Sequence, residues 1–316
     1  MIAEFATGAL AFPEFSPAIF TIPEVFGFGP FPIRWYALGY IAGIMIAWWY
    51  VLKMVARPQL FGGTSPATRE DIDDFIFWIM LGIILGGRVG YILFYTNGTW
   101  IKDPVSILKV WEGGMAFHGG FIGTCLAILY VSRKRGLLKK LHNFSDMAAI
   151  VAPIGIFFGR LANFLNAELY GRRTDSSWGV IFPEGNAGEG TPPAYKWSSG
   201  DWIYSGTEEP RHASQLYEAG LEGLLPLIIL SFGAYKFGWL KRPWLTTGLF
   251  LLIYGTGRSI VENFRQPDDH IKFIFGTDWL TMGMMLSAPM YIIGAALVWY
   301  ALSRPAVGST TEPAEA

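Results

Sequence analysis

Long apolar blocks separated by short charged segments dominate this chain, and that pattern leaves few folds open to it. Seven blocks lie near residues 33–52, 72–96, 114–132, 144–166, 214–237, 244–263 and 279–302. Each has the length a tilted helix needs to cross about 30 Å of hydrocarbon. Within the second block, Gly82, Gly86 and Gly90 recur every four residues and form a small-residue stripe suited to close helix contact. The expected fold is therefore an all-α polytopic membrane protein of about seven transmembrane helices. Only 16% of the residues are charged, against about 25% in a soluble domain. The net charge of −1 carries none of the basic footprint of a nucleic-acid-binding protein. Residues 12–32 hold too many prolines to span and read as a segment lying on the membrane interface. No Lys or Arg precedes Arg34, so the start does not read as a signal peptide.

The loops carry the orientation. Arg133, Lys134, Arg135, Lys139 and Lys140 follow the third block, Lys236, Lys241 and Arg242 follow the fifth, and Lys53, Arg57 and Arg69 follow the first. Basic residues favour the cytoplasmic side, which predicts an outer N-terminus and a cytoplasmic C-terminus. The longest connection, about 167–213, is rich in Gly, Ser, Pro and acids and reads as a small external cap of turns and short strands. Residues 1–302 then form one membrane-embedded domain, and residues 303–316 a disordered cytoplasmic tail.

On that topology the intramembrane polar groups gather at one outer level. Tyr36 begins span one, Arg88 lies in the outer half of span two, and His118 sits about a turn inside span three. Arg160 and Asn163 end span four, with Asn166 just beyond. Glu218 and Glu222 open span five, and Tyr254, Arg258 and Glu262 close span six, followed by Arg265. At about 100° per residue the last four share a sector of about 80°. A charge inside a span costs roughly 2.5–3.5 kcal/mol on insertion scales, so such groups are seldom idle.

Taken singly, each has a plainer reading. Arg258 and Glu262 can be a structural i, i+4 ion pair. Asn163 and Asn166 can simply end a helix, His118 can be a packing histidine, and Arg88 reads better as a brace than as a catalytic group. Glu218 and Glu222 can serve only to neutralise arginines. Together, a cationic cluster in the outer leaflet suits an anion, and a phospholipid phosphate is the anion at that depth. Cys125 is about 10.5 Å of helix rise from His118, too far for a Cys–His nucleophile, and a single cysteine excludes an intrachain disulfide. No His, Asp or Glu set has metal-ligand spacing, so neither metal nor other cofactor is expected. A transporter would carry polar residues through the inner half and show internal repeats, and neither is present.

The stretch Gly159-Arg160-Leu161-Ala162-Asn163-Phe164-Leu165-Asn166-Ala167-Glu168-Leu169-Tyr170-Gly171 resembles the defining motif of phosphatidylglycerol–prolipoprotein diacylglyceryl transferases of bacterial lipoprotein maturation. Ile33-Arg34-Trp35-Tyr36, Gly86-Gly87-Arg88-Val89-Gly90-Tyr91, Phe117-His118-Gly119-Gly120, Arg211-His212-Ala213-Ser214-Gln215-Leu216-Tyr217-Glu218 and the run from Gly257 to Asp268 follow in the family's order. Ala213 departs from the family's usual proline. The resemblance implies an enzyme of the bacterial inner membrane, its site toward the outer leaflet. It would move a diacylglyceryl group from phosphatidylglycerol to the lipobox cysteine of a prolipoprotein signal peptide. It also implies Tyr36, His118, Arg160, Arg258 and Glu262 as catalytic residues. Asn163, Glu168, Gly171, Tyr254 and Arg265 would bind substrate. Gly171 is expected to let the backbone turn.

Overall fold

Among the described residues, seven long helices carry the apolar blocks. They are α1 (Trp35–Val55), α2 (Arg69–Tyr95), α3 (Phe117–Lys134), α4 (Leu141–Leu165), α5 (Ser214–Lys236), α6 (Leu245–Val261) and α7 (Met282–Leu302). The computed structural model describes residues 8–24, 31–96, 98, 103–108, 114–183, 197–198, 201–204, 206, 208–266, 277 and 279–308. Among these, α1, α2, α4, α5 and α7 are long and apolar enough to cross a membrane unaided, while α6 has 17 residues. The chain is a polytopic, mostly helical membrane protein. Residues 309–316, most of the expected tail, lie outside the described residues. Val307 N–H donates to Lys241 O at 2.8 Å.

The contacts divide the chain into two compact units. The first comprises Met1–Ala47, Ala148–Trp239 and Trp244–Arg304, and the second Trp48–Met147, Leu240–Pro243 and Pro305–Ala316.

In the second unit, α2 starts on a capping box in which Thr68 and Asp71 satisfy each other's backbone N–H groups. Its glycine stripe meets that of α3. A Cβ on Gly82 or Gly86 would strike the carbonyl oxygens of Gly123 or Gly119, and Cβ atoms on those two would strike back. Only glycine permits this backbone approach.

In the first unit, α1 packs on α4 through Gly39 and Gly43, which face Phe158, Ala162 and Gly155. Helix α5 contains a π segment at Ala219–Leu224. Pro226 has no N–H to offer the Glu222 carbonyl, and Leu225 N–H reaches back five residues to Gly220. Gly223 in this segment faces the backbone of Phe157 on α4, and Gly257 on α6 faces the carbonyl of Leu221. Two glycines thus bring α4 and α6 against the wide turn.

Residues 10–22 and 31–34 are more structured than an interfacial ribbon. β1 (Leu10–Ala11) pairs in parallel with β4 (Val180–Ile181), and β2 (Ala18–Ile22) forms a hairpin with β3 (Phe31–Arg34). The prolines that forbid a helix suit this extended backbone. Phe12 is buried in a cluster with Tyr170, Phe182 and Trp202, so it serves the protein core rather than the membrane surface. Residues 167–213 carry short strands, including β5 (Trp197–Ser198) and β6 (Asp201–Trp202).

Candidate active site

The π segment and the two glycine contacts deliver arginines from α4 and α6, and from just beyond α6, onto carboxylates of α5. Arg160 Nε lies 2.7 Å from Glu218 Oε2 and its Nη2 4.0 Å from Glu222. Arg258 Nη1 lies 3.6 Å from Glu218 and 3.7 Å from Glu222, and its Nη2 lies 2.5 Å from Glu262. Arg265 Nη1 donates to Glu218 Oε1 at 2.8 Å, and its Nε lies 3.3 Å from Glu262. Both side chains on α5, Glu218 and Glu222, are 0% exposed. Three guanidinium groups therefore balance three carboxylates in a buried network.

The network is not saturated. Arg258 Nη1 and both Glu222 carboxylate oxygens are buried without a hydrogen bond. Their mutual distance is that of a loose ion pair, longer than a hydrogen bond. A buried donor left in this condition costs about 1–3 kcal/mol, and an arriving anion could take it. Planar guanidinium forks match phosphate geometry.

Beside the network, the chain leaves α4 through a tight turn. Glu168 Oε1 accepts from Asn163 Nδ2 at 2.9 Å and from Asn166 Nδ2 at 3.3 Å. The turn holds Ala167 at φ 51° and Leu169 at φ 57°, both non-glycine residues in the left-handed region. Gly171 is absent from the positive-φ residues, which corrects the expectation that it serves a turn. Its role is close approach, because a Cβ there would strike Phe264 O and press on His212 O. Through that gap Gly171 bridges to Arg265. Tyr36 sits on α1 with its hydroxyl 3.1 Å from that of Tyr40, and Tyr40 Oη lies 3.9 Å from a Cβ position on Gly159. Tyr254, a turn before Arg258, is half-buried with its ring centroid 5.6 Å from that of Phe250.

The other two candidates belong to the second unit. Arg88 is buried and donates from Nε to Ile107 O at 3.0 Å and from Nη1 to Gly114 O at 3.1 Å. It braces the loop ahead of α3. His118, in the first turn of α3, lines an apolar groove of about 560 Å³ between α2 and α3, with Gly86, Gly90, Phe94 and Ile122 among the other walls.

The sequence model of the prolipoprotein diacylglyceryl transferases matches residues 23–300. The chain belongs to that family. A relative from Rhizobium meliloti, named phosphatidylglycerol–prolipoprotein diacylglyceryl transferase, is 44% identical over 286 residues, 90% of this chain and 91% of its own. Relatives of the same name from Rhodopseudomonas palustris and Caulobacter vibrioides are 46% identical over 288 residues and 43% over 304. The first alignment covers 90% of both chains, the second 94% of this chain and 96% of the relative.

Within this transferase-family chain, several supporting residues had no role assigned from sequence. Arg172 Nε donates to Arg265 O at 2.7 Å and ties the strained turn to the end of α6. Gly283, at the start of α7, leaves room for Glu262, since a Cβ there would lie 2.5 Å from the carboxylate carbon. Arg211, Ser214 and Gln215 all donate to carbonyls of the 168–171 turn. The last three lie in a recognised motif, but only the fold tells what they touch. His212, in the same run, has its imidazole pKa lowered by burial. Its Nδ1 lies 3.3 Å from the Tyr217 hydroxyl.

Proposed function

We propose that this chain transfers the diacylglyceryl group of phosphatidylglycerol to the thiol of a lipobox cysteine in a prolipoprotein signal peptide. Family membership over residues 23–300 and the names of relatives more than 40% identical support the reaction. One observation supports the site: a charge-balanced arginine–glutamate network in which Arg258 Nη1 is buried without a hydrogen bond.

The chemistry follows from those groups. A thiol of pKa near 8.5 must lose its proton to become the nucleophile. His118 accepts that proton, a role supported by residue type and by the family motif. A sulfur–carbon bond forms at the glycerol carbon as the carbon–oxygen bond to phosphate breaks, and the electron pair leaves on glycerol phosphate. Arg160 and Arg258 bind the phosphate and take up its growing charge. Glu262 holds Arg258, and Arg265 and Tyr254 support the pair. Tyr36, Asn163 and Glu168 orient headgroup and peptide, and Gly171 admits the backbone that frames them. In this reading the chain crosses the bacterial inner membrane seven times, the site faces the outer leaflet, and 167–213 form an external cap.

Purified protein incubated with phosphatidylglycerol and a lipobox peptide is expected to raise the peptide's mass by one diacylglyceryl group. No gain, with folded protein and both substrates present, refutes the reaction. For orientation, single cysteines placed at Ser198 and Lys139 in a Cys125→Ala background are expected to label from opposite sides of the membrane. Labelling from one side removes the outer-leaflet assignment.

A further inference from the structure

The turn that carries Glu168 cannot hold its own shape. Two non-glycine residues, Ala167 and Leu169, adopt left-handed φ values of 51° and 57°. Such conformations persist only where the surroundings over-determine them. Those surroundings come from the segment that leads into α5. Gln215, 0% exposed, donates from Nε2 to Glu168 O at 2.6 Å. Ser214 Oγ donates to Leu169 O at 3.3 Å, and Arg211 Nη1 to Gly171 O at 3.3 Å. The shortest of the three bonds falls on the residue whose carboxylate collects Asn163 and Asn166.

We infer that Gln215 is a positioning residue for the transfer reaction. Its amide fixes the Glu168 backbone in the strained turn, so that the Glu168 carboxylate holds Asn163 at its working angle. Gln215 itself touches no substrate. It acts through Glu168, and this assignment rests on the proposed transferase activity.

The physical case is one of alternatives. Without the Gln215 donor, the Glu168 carbonyl is left in the turn with no side-chain partner, and the left-handed residues on either side can relax toward ordinary φ values. A relaxation there swings the carboxylate away from Asn163. A displacement of about 1 Å in a positioning group can cost about 10²-fold in rate. A residue that merely filled space would act independently of Glu168.

A double-mutant cycle separates these cases. Gln215→Met keeps the volume and removes the donor, and Glu168→Gln removes the carboxylate. Transfer to a lipobox peptide from phosphatidylglycerol vesicles is measured for each variant, for the pair and for the intact protein. Gln215→Met is expected to lower kcat about 10²-fold with KM for the lipid within about threefold. In the Glu168→Gln background it is expected to add nothing. Ser214→Ala, a milder change to the same turn, is expected to show a smaller loss that also vanishes in that background. It carries the test if Gln215→Met does not fold. Losses that multiply in both pairs overturn the inference and leave the transferase reading standing. Full activity in Gln215→Met does the same. An intact protein that transfers nothing overturns both.

Discussion

Arg88 in one unit and Arg258 in the other are both arginines from apolar helices, yet their surroundings differ. Arg88 points two nitrogens at main-chain carbonyls, Ile107 O and Gly114 O. Those acceptors are neutral and fixed, and the arginine closes a loop. Arg258 faces three glutamates, and its Nη1 has ion-pair neighbours at 3.6 and 3.7 Å but no hydrogen bond. Arg88 is committed to its loop, whereas Arg258, proposed to bind the lipid phosphate, has a buried nitrogen without a hydrogen bond. Both units use glycines for close backbone approach, α2 on α3 in one and Gly248 on Gly294 in the other, and in the first unit Gly223 and Gly257 also sit on the segments that carry the charged groups.

The sharpest way to break this comparison is to replace each arginine by lysine, which keeps the charge and loses the planar fork. Arg160→Lys and Arg258→Lys are expected to lower kcat by about 10²–10³-fold, the usual cost of a lost charge-stabilising donor. Arg88→Lys is expected to lower the thermal midpoint, with kcat per folded molecule nearly unchanged. Equal kcat losses at all three positions would erase the distinction. A smaller effect tests the packing. Gly123→Ala puts a Cβ into the carbonyl of Gly82 and is expected to cost about 1–3 kcal/mol of stability. At Gly155 a Cβ meets nothing within 4 Å, and Gly155→Ala is expected to be neutral or to gain up to about 1 kcal/mol. Unfolding of both variants in detergent checks the pair.

The smallest effect belongs to His212. Burial lowers its pKa in the folded state, so below the ordinary imidazole value of about 6.5 the unfolded chain binds a proton that the folded chain refuses. The contribution is complete above that pH and declines as the pH falls through it. The thermal midpoint is expected to drop slightly as the pH falls below about 6.5, and His212→Gln is expected to flatten that slope. An unchanged slope in the variant would assign the acid sensitivity to other groups.

Much of this was legible in the residues. Hydrophobic blocks marked all seven helices to within a few positions, because lipid-facing surface needs long apolar runs whatever the neighbours. The i, i+4 spacing of Arg258 and Glu262 allowed their ion pair, and the four-residue glycine spacing marked a close helix contact on α2, without naming α3 as the partner. What sequence could not reveal were contacts set by tertiary approach. The resemblance marked the Arg211–Glu218 run, but its local pattern is that of a loop entering a helix. Nothing in that pattern says that Gln215 reaches Glu168, 47 residues away. Phe12 looked interfacial because prolines surround it, and its burial depends on β4, far along the chain. Gly171 looked like a turn glycine, but the left-handed angles fall on its neighbours.

In the proposed reaction Arg160 and Arg258 bind the phosphate of phosphatidylglycerol, and Arg88 braces a loop. Phosphorus NMR of the lipid titrated with protein in detergent micelles tests this without any peptide or turnover. A shifted, broadened phosphate signal is expected with the intact protein and with Arg88→Lys, and a free-lipid signal with Arg160→Lys and Arg258→Lys. A phosphate signal that stays perturbed in both of those variants and is released by Arg88→Lys would contradict this assignment.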